Sequence, residues 1–257
     1  MLKITSLLNK ATLSTSILVN WEGFLFLLDI GSSKVKAILI THSHIDHFWD
    51  IVPFLWLRRL WNQKNPIKII CPKPYMDLFL WYIEVARAKE FASIQVVDEN
   101  SKIEINNLMI KPFKVEHSEE IALGYAITEL PKTKLLIEKL KDEKIPIEMW
   151  RKIATGEELC FNGEIIKPEK FFYKKQRKIV YSGDTRPCDS LKKAAENADL
   201  LIIEASNIGN KFQNFASKKE HISIEDALKI ALESKAKRIL FTYIPLNYSL
   251  NEVFSRN

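Results

Sequence analysis

Three apolar runs in this chain each break off at a residue type that binds metal ions. Val35-Lys36-Ala37-Ile38-Leu39-Ile40 runs into Thr41-His42-Ser43-His44-Ile45-Asp46-His47. Ile179-Val180-Tyr181 runs into Ser182-Gly183-Asp184, and Leu200-Leu201-Ile202-Ile203 into Glu204. Short apolar runs of this kind predict buried strands. The loops past the C-terminal ends of such strands are where open α/β proteins bind ligands. The chain has only 5 histidines, and three of them sit in the first of these loops. A chain using histidine for packing or surface polarity would scatter it.

The spacing His-x-His-x-Asp-His suits two ions. Alternate residues of an extended loop point the same way, so His42 and His44 can face one ion together. Asp46 and His47 fall on the next turn and can face a second. Imidazole and carboxylate donors fit zinc, manganese or iron. His117 follows Phe113-Lys114-Val115-Glu116, an alternating segment that reads as a strand end. Gly183 would let the backbone bring the Asp184 carboxylate close to a metal, where it could bridge two ions. His221 opens a helix capped by Ser223, with Asp226 three residues on.

Other helices are expected at 48–62, 75–91 and 190–197, and the last helix at 223–234. The first carries Phe54, Trp56, Leu57 and Trp61, read as a core or dimer face. This alternation of strands and helices predicts an α/β fold, a four-layer αββα sandwich. At 257 residues one domain is expected to hold the whole chain, 1–257. No apolar run reaches transmembrane length, since the stretch after Asp50 is broken by Arg58 and Arg59. The first residues read as a strand and not as a cleavable signal. Three widely spaced cysteines, Cys71, Cys160 and Cys188, point to a reducing cytoplasm and to no disulfide framework.

The strings at 41–47 and 181–188, with His117 followed by Gly124-Tyr125, Glu204-Ala205-Ser206 and His221-Ile222-Ser223, together resemble the metallo-β-lactamase superfamily. Within it they resemble the ribonuclease Z family, endonucleases that trim the 3′ end of precursor tRNA. The His-x-His-x-Asp-His string is specific only for the superfamily. Gly183-Asp184-Thr185-Arg186-Pro187-Cys188 and His221 point to ribonuclease Z, and the resemblance runs from about residue 29 to 248. It implies that His42, His44 and His117 hold a first metal, Asp46 and His47 a second, and that Asp184 bridges both. A hydroxide between two zinc ions per subunit would attack the phosphodiester after the discriminator nucleotide, with manganese an acceptable substitute. Asp46 would help orient it. His221, held by Glu204, would contact the scissile phosphate and donate a proton to the leaving oxygen.

The sequence departs from that family in places. Where the family carries a last metal-ligand histidine in a Thr-His-x-Ser-x-Arg-Tyr string, this chain has Thr242-Tyr243-Ile244-Pro245-Leu246-Asn247-Tyr248. A tyrosine is a poor ligand at neutral pH unless a metal depresses its pKa from about 10. The second metal position is therefore expected to be weak, with Tyr243 as its open question. The N-terminal glycine-rich turn is replaced by Leu7-Leu8-Asn9-Lys10, and no Glu-Gly-Thr-Gln stretch follows Asp29-Ile30-Gly31.

Between Tyr125 and Ile179 no catalytic residue type stands out and charge is dense. Residues 132–178 hold 13 Lys and Arg against 8 Asp and Glu, a balance of +5 within a chain total of 38 − 32 = +6. A solvated helical face would look similar. The resemblance makes 129–178 a protruding basic arm, inserted in the domain, that grips precursor tRNA by its phosphates. The family's tip is here Lys144-Ile145-Pro146-Ile147-Glu148-Met149. The expected assembly is a homodimer. The alternatives are an RNA-binding relative with impaired chemistry, acting as a subunit, and another phosphodiesterase of the superfamily.

Overall fold

A computed structural model of the chain describes residues 2–10, 14–21, 24–28, 37–118, 121–130, 132–206 and 221–244. Of the expected features, residues 29–36, which include the lead-in of the first run, lie outside the described residues, as do Pro245, Leu246, Asn247 and Tyr248. The contacts divide the chain into two compact units, Met1–Ile127 with Lys178–Asn257, and Thr128–Arg177.

The first unit opens with β1 (Leu2–Lys10), β2 (Ser14–Trp21), β3 (Phe24–Leu28) and β4 (Ala37–Leu39). Residues Leu7 to Lys10 simply complete β1, whose pairing with β2 shifts register between Ser6 and Leu8. Helix α1 (Ile51–Leu60), β5 (Ile67–Pro72), α2 (Met76–Val85) and β6 (Ala92–Val97) follow. These six strands form one sheet in the order β1-β2-β3-β4-β5-β6. Its β1 to β3 part is antiparallel and its β3 to β6 part parallel.

Next come β7 (Ile103–Ile105), β8 (Leu108–Val115) and β9 (Ala122–Glu129). The Thr128–Arg177 unit contains β10 (Lys132–Leu135), α3 (Ile137–Asp142), α4 (Ile147–Ala154), β11 (Leu159–Phe161), β12 (Glu164–Ile166) and β13 (Phe172–Lys175). The chain then forms β14 (Lys178–Tyr181), α5 (Asp189–Ala195), β15 (Leu200–Glu204), α6 (Ile224–Glu233) and β16 (Ile239–Thr242). The second large sheet runs β16-β15-β14-β9-β8-β7, with β14, β15 and β16 parallel.

Side-chain alternation explains the layers. Ala37 and Leu39 of β4 join Ile110, Tyr125, Tyr181 and Ile202 in a core between the two sheets. Ile38 and Ile40, pointing the other way, pack with Ile51, Leu55, Phe79 and Ile83 of α1 and α2. Val180, Leu201 and Ile203 face Leu191, Ala195, Ala227 and Ile230 of α5 and α6. The result is helix, sheet, sheet, helix. A strand covered on both faces has no reason to alternate in polarity, which is why β4 and β15 are buried on every residue.

Helix ends have local causes. Ile45–His47 takes a 3-10 turn, so α1 starts at Ile51 and not at 48. Helix α2 stops at Val85 because Arg87 adopts φ 49°. The Ser223 hydroxyl accepts the Asp226 backbone N–H at 3.0 Å, the N-cap expected from sequence. The core reading of α1 holds for Phe54. Trp56, Leu57 and Trp61, the rest of the expected core or dimer face, are 40%, 40% and 56% exposed.

The Thr128–Arg177 unit has its own small core of Leu140, Ile145, Ile153 and Phe171. Strands β11 and β12 form a hairpin that the sequence reading did not anticipate. Its two-residue loop is Asn162-Gly163, with φ 54° and 81°, the left-handed pair that a tight I′ turn needs. Pro146, in the string compared with the family's tip, is the residue before α4. At the unit's ends the Arg177 guanidinium and backbone N–H both donate to the Glu129 carboxylate.

Candidate metal centre

The strand ends bring the expected residues together. The end of β4 leads through Thr41 to His42 and His44, β8 to His117, β14 to Asp184, and β15 ends on Glu204. His42, His44 and His117 offer ligand atoms all within 4.8 Å of one another. So do His42, His47 and Asp184, and so do Asp184, Glu204 and His221. His42 is common to the first two groups, and Asp184 to the last two. Asp184 is not grouped with His44 and His117. Asp46 is in none of the three, although its Oδ2 lies 3.8 Å from His47 Nε2.

The imidazoles are crowded together. The centroid of His42 lies 4.6, 4.2 and 4.6 Å from those of His44, His47 and His117. His117 Nε2 and His44 Nδ1 are 3.0 Å apart. Burial, and then the charge of His47, hold His42 well below the usual histidine pKa. Its Nδ1 contacts the Thr41 hydroxyl at 3.0 Å, while its Nε2 is buried with no hydrogen-bond partner. A buried imidazole nitrogen left without a proton partner costs free energy. A metal ion satisfies that lone pair, and a hydrogen bond at the opposite nitrogen fixes the tautomer that presents it. Three nitrogens on one side, and two nitrogens with a carboxylate on the other, are donor sets that fit the ions the fold implies.

Asp184 is held in the ionised form. Burial opposes its charge, but His47, at 3.3 Å from Oδ2, and then His42 and His221, outweigh burial and lower its pKa. Gly183 makes the approach possible. It sits at φ 62°, and a Cβ there would lie 2.8 Å from Thr41 Cγ2.

Glu204 and His221 form a second device beside this cluster. His221 Nδ1 lies 2.5 Å from Glu204 Oε1 and 3.8 Å from Asp184 Oδ2. Glu204 also accepts the Thr185 N–H at 2.8 Å and the Ser206 hydroxyl at 2.6 Å. Burial, then repulsion from Asp184, push its carboxyl up to about 7 despite the opposing bonds from His221 and Ser206. With Nδ1 committed to Glu204, the other ring nitrogen of His221 is directed away from the carboxylate.

Thr41, Thr185 and Ser206 support the site, and the sequence reading gave them no role. Their only signal is position, next to the ligating residues. Tyr125 adds a brace, its hydroxyl donating to the Ile40 carbonyl at 2.5 Å. Tyr243, the expected departure, is buried. Its ring is stacked near the His47 imidazole, 18° from parallel at 5.5 Å.

Comparison with known proteins gives the family. Residues 27–136 match the model of the beta-lactamase superfamily domain. Over 222 residues the chain is 30% identical to ribonuclease Z from Ignicoccus hospitalis, covering 85% of this chain and 73% of that one. The chain belongs to the ribonuclease Z family. Among solved structures, the metallo-beta-lactamase fold protein YhfI from Bacillus subtilis matches with TM-score 0.70 at 17% identity, covering 99% of this chain and 91% of that one. The short form of human tRNase Z matches with TM-score 0.63 at 18% identity over 95% and 93%. At those identities the two structures speak for the fold. The His and Asp cluster is thus a set of residues capable of binding metal ions, set in a ribonuclease Z chain of metallo-β-lactamase fold.

Proposed function

We propose that this protein is a metal-dependent endoribonuclease that removes the 3′ trailer from precursor tRNA, cutting after the discriminator nucleotide. The observation that carries this reading is the Glu204–His221 pair standing 3.8 Å from Asp184, beside the histidine cluster. A metal cluster alone serves many hydrolases. An imidazole braced by a buried carboxylate, with its other nitrogen turned away, adds a group that can hold a proton for a leaving oxygen.

His42, His44, His47, His117 and Asp184 would hold the ions, two per subunit, with zinc the expected metal and manganese an alternative. Bound there, the ions supply an activated water at neutral pH and neutralise charge at the phosphorus. Asp46, beside His47, would orient the attacking water. His221 contacts the scissile phosphate and delivers the proton, and Glu204 keeps its tautomer and orientation. The RNA-binding alternative without chemistry fits less well, because a chain freed from catalysis has no need of Asp184 or of the Glu204–His221 pair.

Binding of the tRNA body is assigned to residues 129–178. Lys141, Lys144, Arg151, Lys152, Lys167 and Lys170 are exposed there. Phosphate neutralisation by such groups gives affinity without reading sequence. A homodimer is supported by the apolar face of α1 and α2, where Trp56, Leu60, Trp61 and Trp81 are 40–59% exposed. Exposed aromatic patches of this kind mark interaction surfaces. Among the described residues no helix is long and apolar enough to cross a membrane. The free cysteines Cys71, Cys160 and Cys188 suit the reducing cytoplasm in which we place the protein.

The test is incubation of a precursor tRNA bearing a 3′ trailer with the protein and manganese or zinc, with product ends mapped, beside Asp184→Ala. A single cut after the discriminator nucleotide, absent in the variant, is the expected result. Folded, metal-loaded protein that binds the tRNA without cutting it would refute the assignment.

A further inference from the structure

Tyr243 stands where the family pattern carries a metal-ligand histidine, and its geometry gives it a different task. We infer that Tyr243 is a positioning residue whose ring braces His47 and His221, a task that does not require its hydroxyl. The inference rests on the metal-centre reading above.

The ring lies nearly parallel to both imidazoles, 18° from His47 with centroids 5.5 Å apart and 16° from His221 at 6.4 Å. Both separations fall within the roughly 4.5–7 Å over which aromatic pairs interact. Those two imidazoles approach one oxygen, Asp184 Oδ2, at 3.3 Å from His47 and 3.8 Å from His221. One ring thus backs a ligand of the metal cluster and the proton-holding histidine together. The contact is one of ring beside ring, which phenylalanine would also make.

The backbone shows that the placement is enforced. Tyr243 adopts φ 63°, a region that bulky L residues avoid unless their surroundings over-determine it. The other eight non-glycine residues at positive φ among the described residues are all polar. The anchor is the preceding residue. Thr242 pairs with Glu204 in the β15–β16 register, and its carbonyl accepts the Ala205 N–H at 2.8 Å. From there the left-handed step sets the aromatic ring beside the two histidines. A histidine at this position would offer coordination. The tyrosine offers packing.

The test compares the wild type, Tyr243→Phe and Tyr243→Ala. Equilibrium dialysis against manganese and against zinc measures ions bound per chain and half-saturation. Tyr243→Phe is expected to bind as many ions as the wild type with half-saturation unchanged to within about twofold. Iron(III)-loaded wild type should show no phenolate-to-metal absorption band that Tyr243→Phe lacks. Tyr243→Ala should lower kcat on a small phosphodiester by about tenfold or more, the scale of losing a group that orients a metal ligand, with KM little changed. Tyr243→Phe should restore it. Loss of an ion, a tenfold weaker half-saturation in Tyr243→Phe, or a phenolate band would make the hydroxyl a ligand and overturn the inference. The phenylalanine comparison stands even if the alanine variant does not fold. Wild type that takes up no metal would refute the metal-centre reading itself, and the inference would fall with it.

Discussion

The histidine cluster and the Thr128–Arg177 unit use charge in opposite ways. At the cluster, polar groups are buried, crowded and individually placed. His42 is fully buried with its basicity suppressed, and Glu204 accepts three bonds at 2.5, 2.8 and 2.6 Å. In the inserted unit Lys141, Lys144, Arg151, Lys152, Lys167 and Lys170 are exposed, and the segment has a small apolar core of its own. A change of one atom at the cluster should therefore matter. In the unit only the sum of charges should matter, because exposed lysines act on phosphates through a screened, nonspecific field.

The sharpest way to break this contrast is at His221. Replacing it by alanine should slow the chemical step by about 10²- to 10⁴-fold, the range expected for losing a placed proton donor. Metal content measured on the purified variant should stay near that of the wild type. A loss of metal equal to that in Asp184→Ala would make His221 a ligand and erase its separate role. A smaller effect is expected from neutralising Lys141, Lys144 and Lys152 together as glutamines. Binding to precursor tRNA should weaken alike for different tRNAs, and the slope of log affinity against log salt should fall by about 1 for each phosphate that is no longer neutralised. An unchanged slope would take those lysines out of the RNA interface.

The smallest effect concerns the cysteines. Burial pushes the Cys71 thiol up to about 12, so at neutral pH almost none of it is the reactive thiolate. Exposed Cys160 should be alkylated by iodoacetamide in the native protein while Cys71 is spared, as peptide mass mapping would show. The thiolate fraction of Cys71 rises only as pH approaches 12. Native labelling of Cys71 near neutrality would mean that the layer under α1 and α2 opens.

The contrast also governs what is legible in the sequence. Strand β15 has the bounds that its apolar run suggests, because burial on both faces leaves an uninterrupted signal. His42, His44, His47, His117, Asp184, Glu204 and His221 are legible because their residue types are rare at strand ends. Which of them share a ligand group is not, since Asp46 lies in a 3-10 turn whose pitch the spacing does not reveal. Thr41, Thr185 and Ser206 escape notice because hydroxyls bond to nearby groups almost everywhere. That Phe54 is buried while Trp56, Leu57 and Trp61 are exposed is not legible either. Apolar content on a helix does not say which of its faces meets the sheet. The β11–β12 hairpin is readable in principle from Asn162-Gly163, but dense charge around it masks the strands.

The most direct test of this division of labour removes residues 131–175 and joins the ends with a short Gly-Ser linker. The ends are already close, since the Glu129 N–H bonds the Arg177 carbonyl at 3.0 Å. Hydrolysis of a small chromogenic phosphodiester and cleavage of precursor tRNA are then measured side by side, as kcat/KM. The account predicts that the small substrate is turned over at close to the wild-type rate while tRNA cleavage drops by about 10²-fold or more, with the loss in KM, as expected when several phosphates are left without a cation. Equal losses on both substrates would contradict it, and would make the inserted unit a structural support of the metal centre.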